Sequence, residues 1–370
     1  MDANPKIQLP FYVRLSCTLI SVTLIILLMH LGSSIFIPLF FAVLISFMLL
    51  PVTQWLERRR LPRGLAALIA ILLFVLVIAG LIFFIGQQVS DFSKDIQNLS
   101  VRLQTWIQEL QQWISMEFRV NYSTQISYLS KAGTGFISFA SALAQTFFVT
   151  LGGFLIWTIF VFIFTFFILV GRGLIREFII ALFREQQHDR VNDVLLQTKL
   201  LARNYVSGLL LEMLLVAIIN CTALMIFGIK YALLLGVLAA VLNIVPYIGI
   251  YTGAVIAAVI TLSNSTPGQA LQVIIILIIV HFIDANMLMP RIVGRSVKMN
   301  PLITIVAVLI GSILWGISGT FLFIPLAAIL KIIFERVDGL KPWAILMGTE
   351  KGRVSPKPKA PLRDKHKAGK

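Results

Sequence analysis

Tyr231-Ala-Leu-Leu-Leu-Gly236-Val-Leu-Ala-Ala240-Val-Leu-Asn243-Ile-Val-Pro246-Tyr-Ile-Gly249-Ile-Tyr-Thr-Gly253-Ala-Val-Ile-Ala-Ala-Val-Ile-Thr-Leu262 is apolar along its whole length and interrupted in its middle. Proline removes a backbone donor, and glycine weakens a helix, so a helix is not expected to run straight through Asn243–Gly249. Residues 301–334 repeat the pattern, with Gly311, Gly316, Ile317, Ser318 and Gly319 in the middle and Pro325 further on. Each half is about 13–18 residues, short of the roughly 20 needed to cross hydrocarbon at about 1.5 Å per residue. Each region therefore reads either as one interrupted span or as a hairpin that returns to the side it entered from.

The surroundings of these two regions define the class. The chain has 370 residues, 58% hydrophobic and 13% charged; a soluble domain carries about twice that charge fraction. Six further stretches are long and apolar enough to cross a bilayer, at roughly 12–31, 34–50, 64–86, 136–170, 205–228 and 269–289. The expected fold is all-α and polytopic: about six full spans plus two broken helical regions. The first run is too long for a signal peptide and leads straight into the next, so it is kept as a span. Cys17 and Cys221 both lie in apolar runs and point to neither a disulfide framework nor a metal site. The polar stretches near 87–135, 171–204 and 340–370 leave no room for an independent catalytic domain.

The net charge of +15 sits beside membrane segments, which argues against nucleic acid as the partner. With the N-terminus in the cytoplasm and both broken regions as hairpins, 26 of the 31 basic residues fall on the cytoplasmic side. A single span in each region would instead place the Pro290–Asn300 loop outside, with Arg291, Arg295 and Lys298. The positive-inside rule favours hairpins. Full span, broken region, full span, broken region is then an inverted repeat, the arrangement that in transporters marks a binding site.

The organisation that follows is 1–86, three spans; 87–135, a helical extracytoplasmic domain; 136–204, a long span and a cytoplasmic amphipathic helix; 205–335, a transport core; and 336–370, a basic tail. The tail's eight basic residues and three prolines from Lys351 onward are expected to be disordered and drawn to anionic lipid. From Val89 to Trp113 apolar residues alternate at spacings of three and four, a seam for packing on the protein itself or on another protomer.

Ionisable groups inside spans are expensive and mark function. Three stand out: Glu212 in the 205–228 span, and His281 and Asp284, one turn apart, in the 269–289 span. Asn220, Asn243 and Asn286 are polar companions. Asp284 reads either as a coupling or gating carboxylate, with His281 or Arg291 beside it, or as a structural ion pair with Arg291. Glu212 has the same two readings, with Arg203 as the structural partner. Pro246, Gly249, Gly311, Gly316, Gly319 and Pro325 read as hinges that free backbone groups or as small-residue packing. Gly316-Ile-Ser318-Gly319 matches a short intramembrane serine protease pattern, with His281 as an available base, but a Gly-rich hinge explains it as well. No phosphate-binding glycine loop or His-Glu-x-x-His is present, so transport is expected to draw on an ion gradient, H⁺ or Na⁺, with no other cofactor.

Several stretches in order resemble the AI-2E transporter family. They are Tyr205-Val-Ser-Gly208, Asn243-Ile-Val-Pro246-Tyr-Ile-Gly249, Asp284-Ala-Asn286-Met-Leu-Met-Pro290-Arg291-Ile-Val-Gly294-Arg-Ser-Val, and Asn300-Pro301 through Gly311, Gly316 and Gly319 to Ile324-Pro325-Leu-Ala-Ala328. The resemblance implies a multi-pass protein of the bacterial cytoplasmic membrane that is homo-oligomeric and exports a small molecule such as autoinducer-2, or exchanges Na⁺ for H⁺. A passive permease on the same pathway is the alternative, with a membrane scaffold further behind.

Overall fold

The computed structural model describes residues 10–88, 90, 157–243, 248–292 and 299–349. The 87–135 domain and its seam, Pro246, Gly294 and the tail from 350 on thus lie almost wholly outside the described residues. Those described form helices and no strand. They are α1 (Phe11–Leu31), α2 (Ser33–Arg58), α3 (Arg63–Gln88), α4 (Trp157–Ala181), α5 (His188–Ile226), α6 (Ala232–Leu242), α7 (Ile248–Asn264), α8 (Pro267–Ile292), α9 (Pro301–Arg336) and α10 (Lys341–Met347). Seven of them, α1 to α5, α8 and α9, are long and apolar enough to cross a membrane. A single helix, α5, carries both the polar stretch before residue 204 and the apolar span after it.

Both broken regions fold back on themselves. In α9 the helical conformation fails at Trp315 (φ −132°, ψ 16°) and Gly316 (φ 59°, ψ −138°). Only glycine adopts the second of these without strain. Residues eight apart in a straight helix are separated by about 12 Å. Here a Cβ placed on Gly319 would sit 1.9 Å from the Gly311 carbonyl oxygen, so the two arms lie backbone against backbone. The first region behaves likewise. A Cβ on Gly249 would meet the Leu242 oxygen at 1.8 Å, and one on Gly253 would touch Ala239, so α7 runs back along α6. Gly236 packs equally tightly on Cys221, which lays α6 along the end of α5. The turn between them uses positive φ at Gly228 and Tyr231.

Local signals fix the other starts. Thr266 caps α8 by accepting from the Gln269 N–H at 3.4 Å, and Asn300 caps α9 through Leu302 N–H at 3.0 Å. Each cap is followed by proline at the first helical position, where no donor is lost.

Lipid is as apolar as leucine, so such helices associate through close packing and hydrogen bonds more than through hydrophobic burial. Apolar clusters among the described residues hold the arrangement. Val216, Leu224, Leu234, Leu235, Val273 and Leu277 join α5, α6 and α8. Leu49, Leu50, Ala67, Ile71 and Leu169 join α2, α3 and α4. Leu44, Ala202, Trp315 and Leu322 join α2, α5 and α9. Many of the exposed residues along the long helices are leucines, isoleucines and phenylalanines, and α1 buries none of its own. That inversion of the soluble pattern fits a lipid-facing surface. Charges gather at one end. Arg336 binds Asp193 at 2.9 Å, Asp338 binds Arg190 at 3.3 Å and Lys341 at 2.5 Å, and Arg172 pairs with Glu57. Beside Lys341 and Arg190, the fully exposed Asp338 carboxyl is held below its usual pKa.

Candidate functional site

The buried face of α5 carries Gly208, Glu212, Val216 and Asn220 at four-residue intervals, the spacing that keeps residues on one side of a helix. That face meets α8, which runs antiparallel to it. Gly208 lies against Ile292, with its Cβ position 3.3 Å from the Ile292 carbonyl oxygen. Further along the pair, the Glu212 carboxyl faces the Asp284 carboxyl. Asp284 is 2% exposed and Glu212 7% exposed, so both carboxyls belong to the interior.

The third member comes from the hairpin. Asn243 ends α6 at the described edge of the α6–α7 turn, and its Nδ2 donates to Asp284 Oδ2 at 2.7 Å. A carboxylate accepts only, so the amide turns its N–H₂ toward it. Glu212 Oε2 and Asp284 Oδ1 have no hydrogen-bond partner. No ion pair within 4 Å joins Asp284 to Arg291 or Glu212 to Arg203 among the described residues, which takes the geometric support from the structural ion-pair reading.

Asp284 opens a π-helical turn, Asp284–Leu288, in which the Met289 N–H reaches back to the Asp284 carbonyl. The extra residue in such a turn re-registers the helix beyond it, and such turns recur at functional sites. Here Asp284 points inward while Asn286 faces out and donates to its own helix at Phe282. Pro290 and Arg291 are exposed on the following turn. Asn286, Pro290 and Arg291 are thus not brought to the carboxyl pair. Asn220 and His281 are. They line a cavity of about 20 Å³ on the α5 C-terminal side of the pair, with Val216, Ala239, Asn243, Ile250, Ala254 and Leu277. Asn220 Oδ1 and His281 Nδ1 are buried there without a partner. Ser318 lies on the α9 hairpin, and no hydrogen bond links it to His281. Among the described residues no group of three His, Cys, Asp or Glu is placed to hold a metal.

The second hairpin is tied elsewhere. Trp315 Nε1 donates to the Met29 carbonyl at 2.8 Å, and His30 Nδ1 lies 3.1 Å from the Leu314 carbonyl, so the hairpin tip is bound to the end of α1. Gly311 and Gly319 form the crossing between its arms, and Pro325 is fully buried in the second arm. Tyr205 Oη donates to the Phe321 carbonyl at 3.4 Å, joining α5 to that arm.

Among the described residues, six unbroken apolar helices (α1 to α5 and α8), two folded-back helical hairpins and an interior carboxyl pair define a multi-pass α-helical membrane protein of the transporter kind. The sequence profile described as "AI-2E family transporter" matches residues 19–339, and the chain belongs to that family. It is 30% identical over 312 residues to YrrI of Bacillus subtilis (strain 168), covering 81% of this chain and 86% of the relative. It is 30% identical over 324 residues to YueF of the same organism, covering 82% and 85%. The names of both class them, provisionally, as transport proteins. It is 24% identical over 331 residues to the AI-2 transport protein TqsA of Escherichia coli (strain K12), covering 85% and 90%.

Proposed function

We propose that this protein is a cation-coupled secondary transporter of the bacterial cytoplasmic membrane, with Glu212 and Asp284 as its coupling centre. The transported species is a small solute, an autoinducer-2-like signal among the candidates, or Na⁺ exchanged for H⁺. Both termini are cytoplasmic, the two hairpins enter from opposite sides, and the functional unit is a homo-oligomer.

The observation that carries this reading is the pairing of two buried carboxyls, Glu212 and Asp284, beside Asn243 at the end of α6. Two carboxylates in contact repel, and one bound cation between them removes the repulsion. Asn243 reports that occupancy to the hairpin. A hydrogen bond to a charged group contributes about 1.5–3 kcal/mol and a neutral one about 0.5–1.5 kcal/mol. Neutralising Asp284 therefore loosens the hold on the end of α6 by about 1 kcal/mol, which shifts a two-state equilibrium roughly fivefold. That is the size of a coupling energy.

The test is proton movement in sealed vesicles containing the full chain and an internal pH-sensitive dye, with autoinducer-2 or Na⁺ supplied as counter-substrate. The expected result is gradient-driven proton movement with at least one of them, lost in Asp284→Asn and in Glu212→Gln. Movement that survives both substitutions would refute the coupling role, and no movement under any condition would remove the coupled-transport reading.

A further inference from the structure

The cavity beside the coupling centre has features that the pair itself does not explain. Its volume of about 20 Å³ is room for a water. It is not apolar like an accidental packing defect: Asn220, Asn243 and His281 line it from three different helices. Two of its polar atoms, Asn220 Oδ1 and His281 Nδ1, are buried with no protein partner. Asn220 itself is 3% exposed. Buried polar atoms are almost always bonded to protein or to water, so two orphans around a water-sized space point to water there. Asn243 lines the same space and also holds Asp284, and His281 stands one turn from Asp284 on the same helix. The cavity is thus continuous in polar groups with the carboxyl pair.

The donor set at the pair bears on which cation it takes. A dehydrated Na⁺ wants a shell of oxygens, whereas Asn243 presents an N–H₂ to Asp284. A proton needs only the two carboxyl oxygens that already face each other. We propose that the coupling ion is the proton, and that it reaches Glu212 and Asp284 from the α5 C-terminal side through the Asn220–Asn243–His281 cavity, with His281 as the relay. This rests on the coupling-centre reading above. In the step, cavity water gives a proton to one ring nitrogen of His281 while the other ring nitrogen gives its proton toward the carboxylate. The proton enters on the cavity water, where one O–H bond breaks as one N–H forms on the ring; the ring's other N–H breaks as one O–H forms on the carboxyl, the water is left neutral, and the ring turns to restore its first tautomer. No heavy-atom bond changes. Of the described side chains lining the cavity from α5, α6, α7 and α8, His281 carries the one ionisable ring, with Glu212 and Asp284 beneath it. Cys221 is turned away, toward the Leu233 carbonyl.

The experiment is infrared spectroscopy of the full chain in lipid, following the protonated-carboxyl band after a pH jump. It compares the unmodified protein with His281→Gln, Asn220→Leu and Asp284→Asn. The expected result is a band lost in Asp284→Asn and unaffected by added Na⁺. His281→Gln and Asn220→Leu should keep its amplitude and slow its appearance about tenfold. A misfolded variant would lose amplitude, so rate and amplitude separate the relay from a structural role. Appearance at the unmodified rate in both His281→Gln and Asn220→Leu would overturn the relay. Bleaching by Na⁺ at constant pH would overturn the choice of proton. Either result leaves the coupling centre standing. A band indifferent to Asp284→Asn would instead remove the coupling centre, and this proposal with it.

Discussion

Gly319→Ala asks whether the α9 region is a hairpin. The added Cβ would lie 1.9 Å from the Gly311 carbonyl oxygen, whereas ordinary contact begins at 3.4 Å. The arms must therefore separate by about 1.5 Å at their crossing. The atom struck is backbone, so no side-chain rotation relieves it. Overpacking of this kind costs about 1–3 kcal/mol, and a backbone clash belongs at the upper end. Against it stands the intrinsic gain of alanine over glycine in a helix, about 0.5–1 kcal/mol. The expected net effect is a loss of about 2 kcal/mol. Gly80 and Gly171 are helical with nothing within 4 Å of a Cβ, so Gly80→Ala and Gly171→Ala should show the gain alone. Gly316→Ala also meets nothing within 4 Å, and its expected loss of about 1–3 kcal/mol comes purely from the backbone conformation. The assay is unfolding of the detergent-solubilised protein, with all four variants side by side. If α9 were one continuous helix, Gly319→Ala would stabilise like Gly80→Ala, and that sign would refute the hairpin.

Three further expectations follow from named contacts. Asn243→Leu removes the donor to a buried carboxylate and should cost about 1.5–3 kcal/mol, read as a lower unfolding midpoint together with reduced transport. Trp315→Phe keeps the ring packing on Phe40 and Phe323 but leaves the Met29 carbonyl without its donor, for about 1 kcal/mol in the same unfolding assay. Asp338→Asn tests the charged end. The folded-state pKa of Asp338 is lowered, so its contribution is complete above its ordinary value near pH 4 and fades as pH falls through the lower folded value. The gap between variant and unmodified protein should be present at pH 7, shrink with acid, and shrink with added salt because the site is exposed.

Much of this architecture is legible in the amino-acid order, for identifiable reasons. Hydropathy over 20 residues is a one-dimensional signal, and it locates the spans. The interruptions at Asn243–Gly249 and at Gly311–Gly319 are local chemistry, but they leave an interrupted span and a hairpin equally open, and only the placing of Arg291, Arg295 and Lys298 favours the hairpin. The cost of charge in lipid singles out Glu212 and Asp284. What could not be read is their meeting. They are 72 positions apart, and nothing local says that the inward face of α5 presents Glu212 to the turn carrying Asp284. Gly208 holds the one hint, since a small residue there lets α8 approach at Ile292 and so sets the register of the two helices. The π-helical turn is equally silent, because its sequence, Asp284-Ala-Asn-Met-Leu288, suits an ordinary helix and only the packing around Asp284 selects the wider turn. That turn also explains why Asn286, two residues from the site in sequence, faces away from it. Arg203 and Arg291, weighed in the sequence as structural partners, form no ion pair with either carboxyl among the described residues, and the two carboxyls face each other in the interior.

The central claim is that Glu212 and Asp284 act as one centre, and a double-variant cycle measures that most directly. Gradient-driven proton movement would be compared in vesicles holding the unmodified chain, Glu212→Gln, Asp284→Asn, and the protein with both changes. Groups that work as a unit lose their function together, so the effects of removing them do not add. The account predicts that each single substitution lowers the rate at least tenfold and that the double variant is no slower than the worse single one. Losses that multiply, or either single variant running at the unmodified rate, would contradict it.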